Sequence, residues 1–433
     1  MKNLPQLLTL FLLVFCSVNA QQEKGIIGTN NWLNSWSEFN PEQVEYGEAT
    51  EILTGNISTD TKLVKKNVYM LLGNVFVTDN ATLTIEPGTV IIGDFKTNGS
   101  LIITKGATII ADGLLTDPIV FTSNRSVKKA GDWGGLIILG DAPINKFGNG
   151  SSVNHNFKSV SYDQISYGGD NIESNSGILR FVRIEFAGKK LMGKDNFNAL
   201  LLAGVGSQTI IENVMVSYSA GNSLDVYGGQ VNLSKVVSYK ANRIDYNFNY
   251  GTQCNIYNSL AVRSSYISSP EGSRAMEVMT YKDDKSDIDF SKKQTLVTAT
   301  NLTLINASDN LDSEIKMGLV REAIYIGEYA SLDMSKSVVS GFNPAVLFEN
   351  KIKINNENLD RIRFTEMYFN NCKGNIFIEY NSNNEDLESW YGNSSFFNVY
   401  SKGLDSETFI DLKNSKRPDF RLRINKIIAS SLD

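Results

Sequence analysis

Residues 68–123 read VYMLLGNVFVTDNATLTIEPGTVIIGDFKTNGSLIITKGATIIADGLLTDPIVFTS, and the parsing of this stretch decides the fold. Apolar residues alternate in short runs, Val75/Val77, Leu83/Ile85, Val90/Ile92, Leu101/Ile103, Ile109/Ile110 and Ile119/Phe121, each cut off by Gly, Pro, Asn or Asp. Such runs are strands of roughly three to five residues. The unit recurs. Thr82-Leu-Thr-Ile85-Glu-Pro-Gly88 is echoed 18 positions later by Ser100-Leu-Ile-Ile103-Thr-Lys-Gly106, and Thr89-Val-Ile-Ile92 is echoed 19 positions later by Thr108-Ile-Ile-Ala111. A short period built only of strands and turns predicts a solenoid whose coils stack in parallel.

The rest of the chain continues this pattern. Ile211, Leu233 and Ile256 fall 22 and 23 positions apart, and Val216-Ser-Tyr218-Ser-Ala220 is repeated as Val237-Ser-Tyr239-Lys-Ala241. Stacked coils place aliphatic residues in inward ladders and put Asn213 and Asn258 at equivalent corners. There Asn tolerates left-handed backbone angles and is expected to bond its own copy in the next coil. After Gly131-Asp-Trp133-Gly-Gly135, the run Leu136-Ile-Ile-Leu139 is apolar enough to be buried on both faces.

Two polar stretches, 145–177 and 268–293, interrupt the pattern and predict long side loops; the first is expected either to carry binding, as long loops on a rigid scaffold do, or to be a solvated loop. The first holds the chain's one histidine, His155, and the second holds Asp283, Asp284, Asp287 and Asp289. That acidic run lacks the ligand spacing and central Gly of a calcium loop, so a solvated loop is the reading. Residues 21–67 carry Trp32, Trp36, Phe39 and Tyr46 and are expected to plug the N-terminal end of the solenoid, with a sugar-stacking platform as the alternative. The tail from residue 381, with Trp390, Phe396 and Phe397, is expected to close the other end. The domain reading is a leader at 1–20, a cap segment at 21–67 and one all-β body, a parallel β-helix, at 68–433.

Composition excludes several classes of function. With a net charge of −6 and no basic cluster, nucleic acid is not an expected partner. Lys2, the apolar run Leu7 to Val18 and then Val18-Asn-Ala20 have the form of a leader cleaved after Ala20. Lipidation of Cys16 is the alternative, disfavoured by the bulky Phe15 before it. The apolar run is too short to span a bilayer, and no second one follows. Cys254 and Cys372 are expected to be buried thiols rather than a disulfide.

GDWGGLIILGDAPIN (131–145), SGILRFVRIEFAG (176–188) and LLLAGVGSQTIIENVMVSYS (200–219), with TLTIEPGTVIIGD and DPIVFTS upstream, resemble a group of exported right-handed parallel β-helix proteins with a pectate-lyase-like fold. The group comes from Gram-negative bacteria that have a type IX secretion system. The resemblance implies a fold and an address in the periplasm or outer membrane, because most such proteins carry no assigned activity. It also implies a cation-binding Asp-rich run, which in this chain is the mostly amidated Asn242-Arg-Ile-Asp245-Tyr-Asn247-Phe-Asn249. Relatives often carry a C-terminal sorting domain, for which no room is expected after Arg417-Pro-Asp-Phe420.

Chemistry has few candidates. Leu224-Asp225 matches Ile244-Asp245 at a spacing of 20, so the two carboxylates are expected to face each other across neighbouring coils, about 4.8 Å apart. With Asn247 and Asn249 they form a candidate Ca²⁺ site, and with Arg243 as base a lyase-like centre. A turn ladder neutralised by Arg243 is the structural reading of the same residues. No histidine stands near a strand-borne nucleophile, and no helix backs a phosphate cradle. Tyr239, Tyr246, Phe248, Tyr250 and Tyr257 are expected to form an aromatic coil surface for a glycan or a protein. The leading expectation is a non-catalytic binding or structural protein of the cell envelope, an accessory subunit of an outer-membrane complex. A uronate-lyase-like enzyme is the alternative.

Overall fold

A computed structural model describes residues 24–153, 157, 160–190, 197–267, 273–282, 284–380 and 384–423. The expected leader at 1–20 with Cys16, as well as His155 and Asp283, lies outside the described residues. Twenty-nine strands form one continuous set of parallel ladders, wound as a right-handed β-helix of three sheets. In one central coil Leu224–Tyr227 belongs to sheet A, Gln230–Ser234 to sheet B and Val237–Tyr239 to sheet C. The next coil repeats the order with Tyr246–Asn249, Gln253–Tyr257 and Leu260–Ser264.

Inward residues stack into the predicted column. Ile211, Leu233 and Ile256 are register partners and almost fully buried, as the 22- and 23-residue spacings require. The period of the first coils differs from the expected one. Asn74 pairs with Ser100 and Thr82 with Thr108, both 26 positions on. The 18-residue echo therefore compares strands of different sheets. Each coil holds three similar strand-turn units, and a local motif does not say how many of them make a turn.

The corner between sheets B and C is a single left-handed residue in coil after coil. Phe181, Asn213, Lys235, Asn258, Asn301, Lys336 and Glu366 have φ between 48° and 59°. Asn213 and Asn258 share this corner as expected, but Lys235 stands between them, so no continuous asparagine ladder forms. The amides work elsewhere. Asn258 accepts from Ile27 N at 2.9 Å and donates to Ile27 O at 3.1 Å, and Asn301 donates to Gly25 O at 3.2 Å. Corner asparagines thus hold the N-terminal segment.

That segment is not an end plug. Ile26, Leu33, Trp36 and Phe39 lie along the flank of the helix, buried against Met215, Val237, Leu260, Val262, Ile305 and Val338 on the outer face of sheet C. Trp36 stacks on Trp32 and meets the Phe181 ring edge-on, which also removes the sugar-platform alternative for that ring. The C-terminal hairpin Phe409–Asp411 and Asp419–Leu422 completes the strap. Arg421 donates to Gly28 O at 2.7 Å, Asn31 to Pro418 O at 2.8 Å, and Phe39 packs on Phe420. The first coil already begins inside 21–67. Strand Glu51–Ile57 forms an exposed edge with a register shift at Gly55, and a bulge and charged side chains are common protections for such an edge. The far end is closed by helix Glu385–Tyr391, whose Leu387 and Tyr391 enter the core beside Phe348 and Phe364. Phe397, expected to help close it, is exposed, and the chain from Phe409 turns into the strap instead.

The stretch 268–293, expected to be one loop, contains the strand Met276–Val278 of sheet A. Cys254 and Cys372 are free, and burial raises both thiols, that of Cys372 to about 12. Among the described residues no helix is long and apolar enough to cross a membrane.

Candidate functional site

The outward rows of sheet A change character along the helix axis. One row runs Ile137, Leu201, Asp225, Asn247, Glu277, Tyr325 by strand register. Its apolar start is roofed by Ile144, Val153 and Tyr167 from the loop at 140–176. Its polar continuation is covered at Asp225, which has no exposed surface, and at Asn247, while Glu277 further along is half-buried.

A buried carboxylate needs partners. Asp225 accepts from the amide of Asn198, from Asn222 at 2.7 Å and from the Tyr227 hydroxyl at 2.9 Å. Burial still holds its pKa above the ordinary carboxylate value, against those bonds. Asp245 is also fully buried. It pairs with Arg263 at 2.7 Å and accepts from Ser238. Burial pushes its carboxyl up, and the Arg263 charge opposes the shift. Arg263, itself buried, also donates to Ala241 O and Arg274 O, both at 3.1 Å. Beside it Arg274 bridges Glu277 and Glu322 and lies 4.4 Å from the centre of the Tyr325 ring.

Asp225 and Asp245 do not face each other. Asp225 lies opposite Asn247, and Asp245 precedes that strand, two positions off the expected register. The repeated Val-Ser-Tyr motif upstream misleads in the same way. Met215, not Val216, is the partner of Val237, so the matched letters are one residue out of step. The cation expected to neutralise the pair, Arg243, is replaced at Asp245 by Arg263. As a calcium cradle, Asp225, Asp245, Asn247 and Asn249 do not fit together. The carboxylate oxygens of both aspartates already accept from amides, hydroxyls or a guanidinium, and the Arg263 charge would repel a cation at Asp245. Among the described residues no three of His, Cys, Asp and Glu group as a metal site.

The five aromatic residues do not share a surface. Tyr246 and Phe248 occupy inward positions and are fully buried, because Asn247 and Asn249 take the outward ones. The core accepts the Tyr246 hydroxyl since the carbonyls of Val236 and Leu260 receive it at 2.9 and 2.6 Å. Tyr239 packs against Phe39 under the strap, and Tyr250 meets Tyr227 with Lys146 over its ring. Tyr257 alone of the five is exposed, on sheet B.

A second locus was not foreseen as one place. The two long loops dock on each other at the corner between sheets A and B. Asp289 N donates to Asn145 O at 2.8 Å, Phe147 N donates to Asp287 O at 3.1 Å, and Lys292 donates to Lys146 O at 2.7 Å. Between them lies a pocket of about 320 Å³ lined in part by Ile144, Ile172, Gln230, Gln253 and Lys293. Sequence marked the first loop as a candidate for binding and the second as a solvated loop, and neither carries a pattern that reveals its contact with the other. Glu277 and Arg274 were missed for a simpler reason. The alternation Ala275-Met-Glu-Val278 was visible but sits inside an acidic stretch that reads as loop.

A family profile described as a pectate-lyase-like β-helix domain matches residues 55–403. The chain belongs to that family. The match spans the ladders from the first coil to the last and stops short of the C-terminal hairpin, so the strap lies outside what this pectate-lyase-like domain defines. No curated protein and no solved structure matches the chain. A pectate-lyase-like β-helix fits both a binding or structural role and activity on a polysaccharide.

Proposed function

We propose that this protein is a non-catalytic binding or structural module of the cell envelope, working against a surface glycan or an envelope protein, with a place as an accessory subunit of an outer-membrane complex. The observation that carries this reading is the burial of Asp225 and Asp245. A general acid, base or metal ligand has to reach its substrate or ion. Both carboxylates have no exposed surface, and both are bonded to fixed neighbours. The leader-like residues 1–20 supply the expectation of an exported address.

A lyase reading keeps one observation in its favour. Asp225, Asp245 and Glu277 are all pushed up by burial, and perturbed carboxyls cluster at active sites. The deciding experiment incubates the purified mature chain with calcium and uronate polymers and follows the ultraviolet absorbance of unsaturated products, with Asp225→Asn as control. No product is expected. Product that forms with the native chain and is lost in the variant would replace the binding reading with an enzymatic one.

A further inference from the structure

We infer that the corner between sheets A and B, continued along the outer face of sheet B, binds a neutral oligosaccharide. This rests on the binding reading above and names its ligand class and its place. Parallel sheets are normally covered on both faces. In these central coils the outward Asp225 and Asn247 of sheet A and Val237 and Leu260 of sheet C are buried, whereas in sheet B Asn232, Asn255 and Tyr257 are exposed on successive coils. An uncovered parallel sheet beside a preformed pocket is where this fold leaves room for a ligand.

The chemistry of that surface is specific. Gln230 and Gln253 pair in register at the pocket wall, Asn232 and Asn255 follow, and Ser234 with Tyr257 ends the rows about 13 Å away, four strand steps on. Asn255 Nδ2 donates to Asn232 Oδ1 at 2.9 Å. This bond fixes the orientation of both amides and leaves Asn255 Oδ1 to accept and Asn232 Nδ2 to donate outward. Gln253 Nε2 is held by the carbonyls of Gly251 and Gln294 at 3.1 and 2.7 Å, which turns its oxygen into an acceptor of fixed position. Alternating donors and acceptors on a rigid sheet match the hydroxyls of a sugar chain. Tyr257 offers a ring face at one end, and Ile144 with Ile172 offers apolar wall at the other.

The amide row suits a neutral ligand. Strands Gln230–Ser234 and Gln253–Tyr257 contain no ionisable group besides the Tyr257 phenol and the buried Cys254 thiol. The pocket end carries Lys292, Lys293 and Asp170, with the Lys292 ammonium held by the carbonyls of Lys146 and Gly148, so the uncharged stretch is the amide row itself. The pocket is also closely packed at its base. Gly251 has φ +84°, and a Cβ there would lie 2.8 Å from Asn145 Cβ, so the docked loops need that glycine to close.

The test titrates the mature chain with neutral cello-, xylo- and malto-oligosaccharides and with oligogalacturonate, read by calorimetry. At least one neutral series should bind. The double variant Asn232→Ala/Asn255→Ala should weaken it about tenfold, and Tyr257→Ala by up to about tenfold. Arg363→Ala, exposed further along sheet B, should leave it unchanged. Neutral binding that the double variant and Tyr257→Ala leave intact would overturn the site, as would binding of oligogalacturonate alone. Absence of neutral binding with no uronate turnover removes this site and leaves the broader reading standing, whereas turnover without neutral binding removes both.

Discussion

Sheets B and C are built from the same coils, share one core and meet at the same left-handed corner, yet their outer faces have opposite fates. Outward positions of sheet C are Met215, Val237, Leu260, Val262 and Ile305, and they are buried under the strap. Outward positions of sheet B are Glu212, Asn232, Asn255, Tyr257 and Thr298, and they meet solvent to varying degrees. Inner ladders alone specify the solenoid. The outer rows decide which side becomes structure and which side is left for recognition, and so the two faces should respond to substitution in different ways.

The largest effect belongs to the covered side. Trp36 has no exposed surface, stacks on Trp32 and donates its Nε1–H to Trp32 O at 2.8 Å. Truncation to Ala should cost about 3–5 kcal/mol, measured as a shift of the denaturant midpoint. It should also open residues 24–46 to proteolysis before the coils unfold. A Trp36→Ala protein as resistant as the native one would mean that the strap is an ornament and that sheet C stands without it.

A pH dependence of intermediate size follows from the residues beneath the strap. Glu185 is buried, and burial raises its carboxyl from 4.5 to about 7, with Arg183 opposing the shift. Tyr46 of the strap lies 3.2 Å from Glu185 Oε1. The folded chain therefore holds a proton that the unfolded chain releases above its ordinary value. This contribution to stability is present in full below the unfolded pKa, declines through the interval and is lost as pH rises past about 7. Glu185→Gln should flatten the fall in denaturation midpoint between roughly pH 5 and 8. An unchanged slope would assign the dependence to other groups.

The contrast between the faces also explains what could be read without coordinates. The coil was legible because an inward ladder repeats an aliphatic residue once per turn, as at Ile211, Leu233 and Ile256. Covering segments repeat nothing. Trp36 and Phe39 announce burial but not the surface that buries them, and the asparagine corners looked like a ladder until Ile27 and Gly25 took their amides. The site suffered from a subtler problem. A shift of two positions takes Asp245 out of the strand to the corner before it, about 7 Å from the expected register, where Ser238 and Arg263 hold it, which turns an imagined carboxylate pair into two separate, separately bonded groups. Arg263 became the partner of Asp245 through coil stacking, a relation that the local motif around Arg243 does not encode.

The smallest effect is expected on sheet B, and its smallness is the point. Asn232 and Asn255 are exposed and contribute one amide contact between coils, whose net worth at a solvent-facing position is slight. Asn255→Ala should change folding stability by no more than about 0.5 kcal/mol, read from the same denaturant curves as Trp36→Ala. Residues kept for stability cannot lose their side chains so cheaply, and residues kept for a ligand can. If Asn255→Ala destabilised the chain as much as a strap substitution, the amide row would be a stabilising ladder like those inside, and the open face of sheet B would need a different reason to exist.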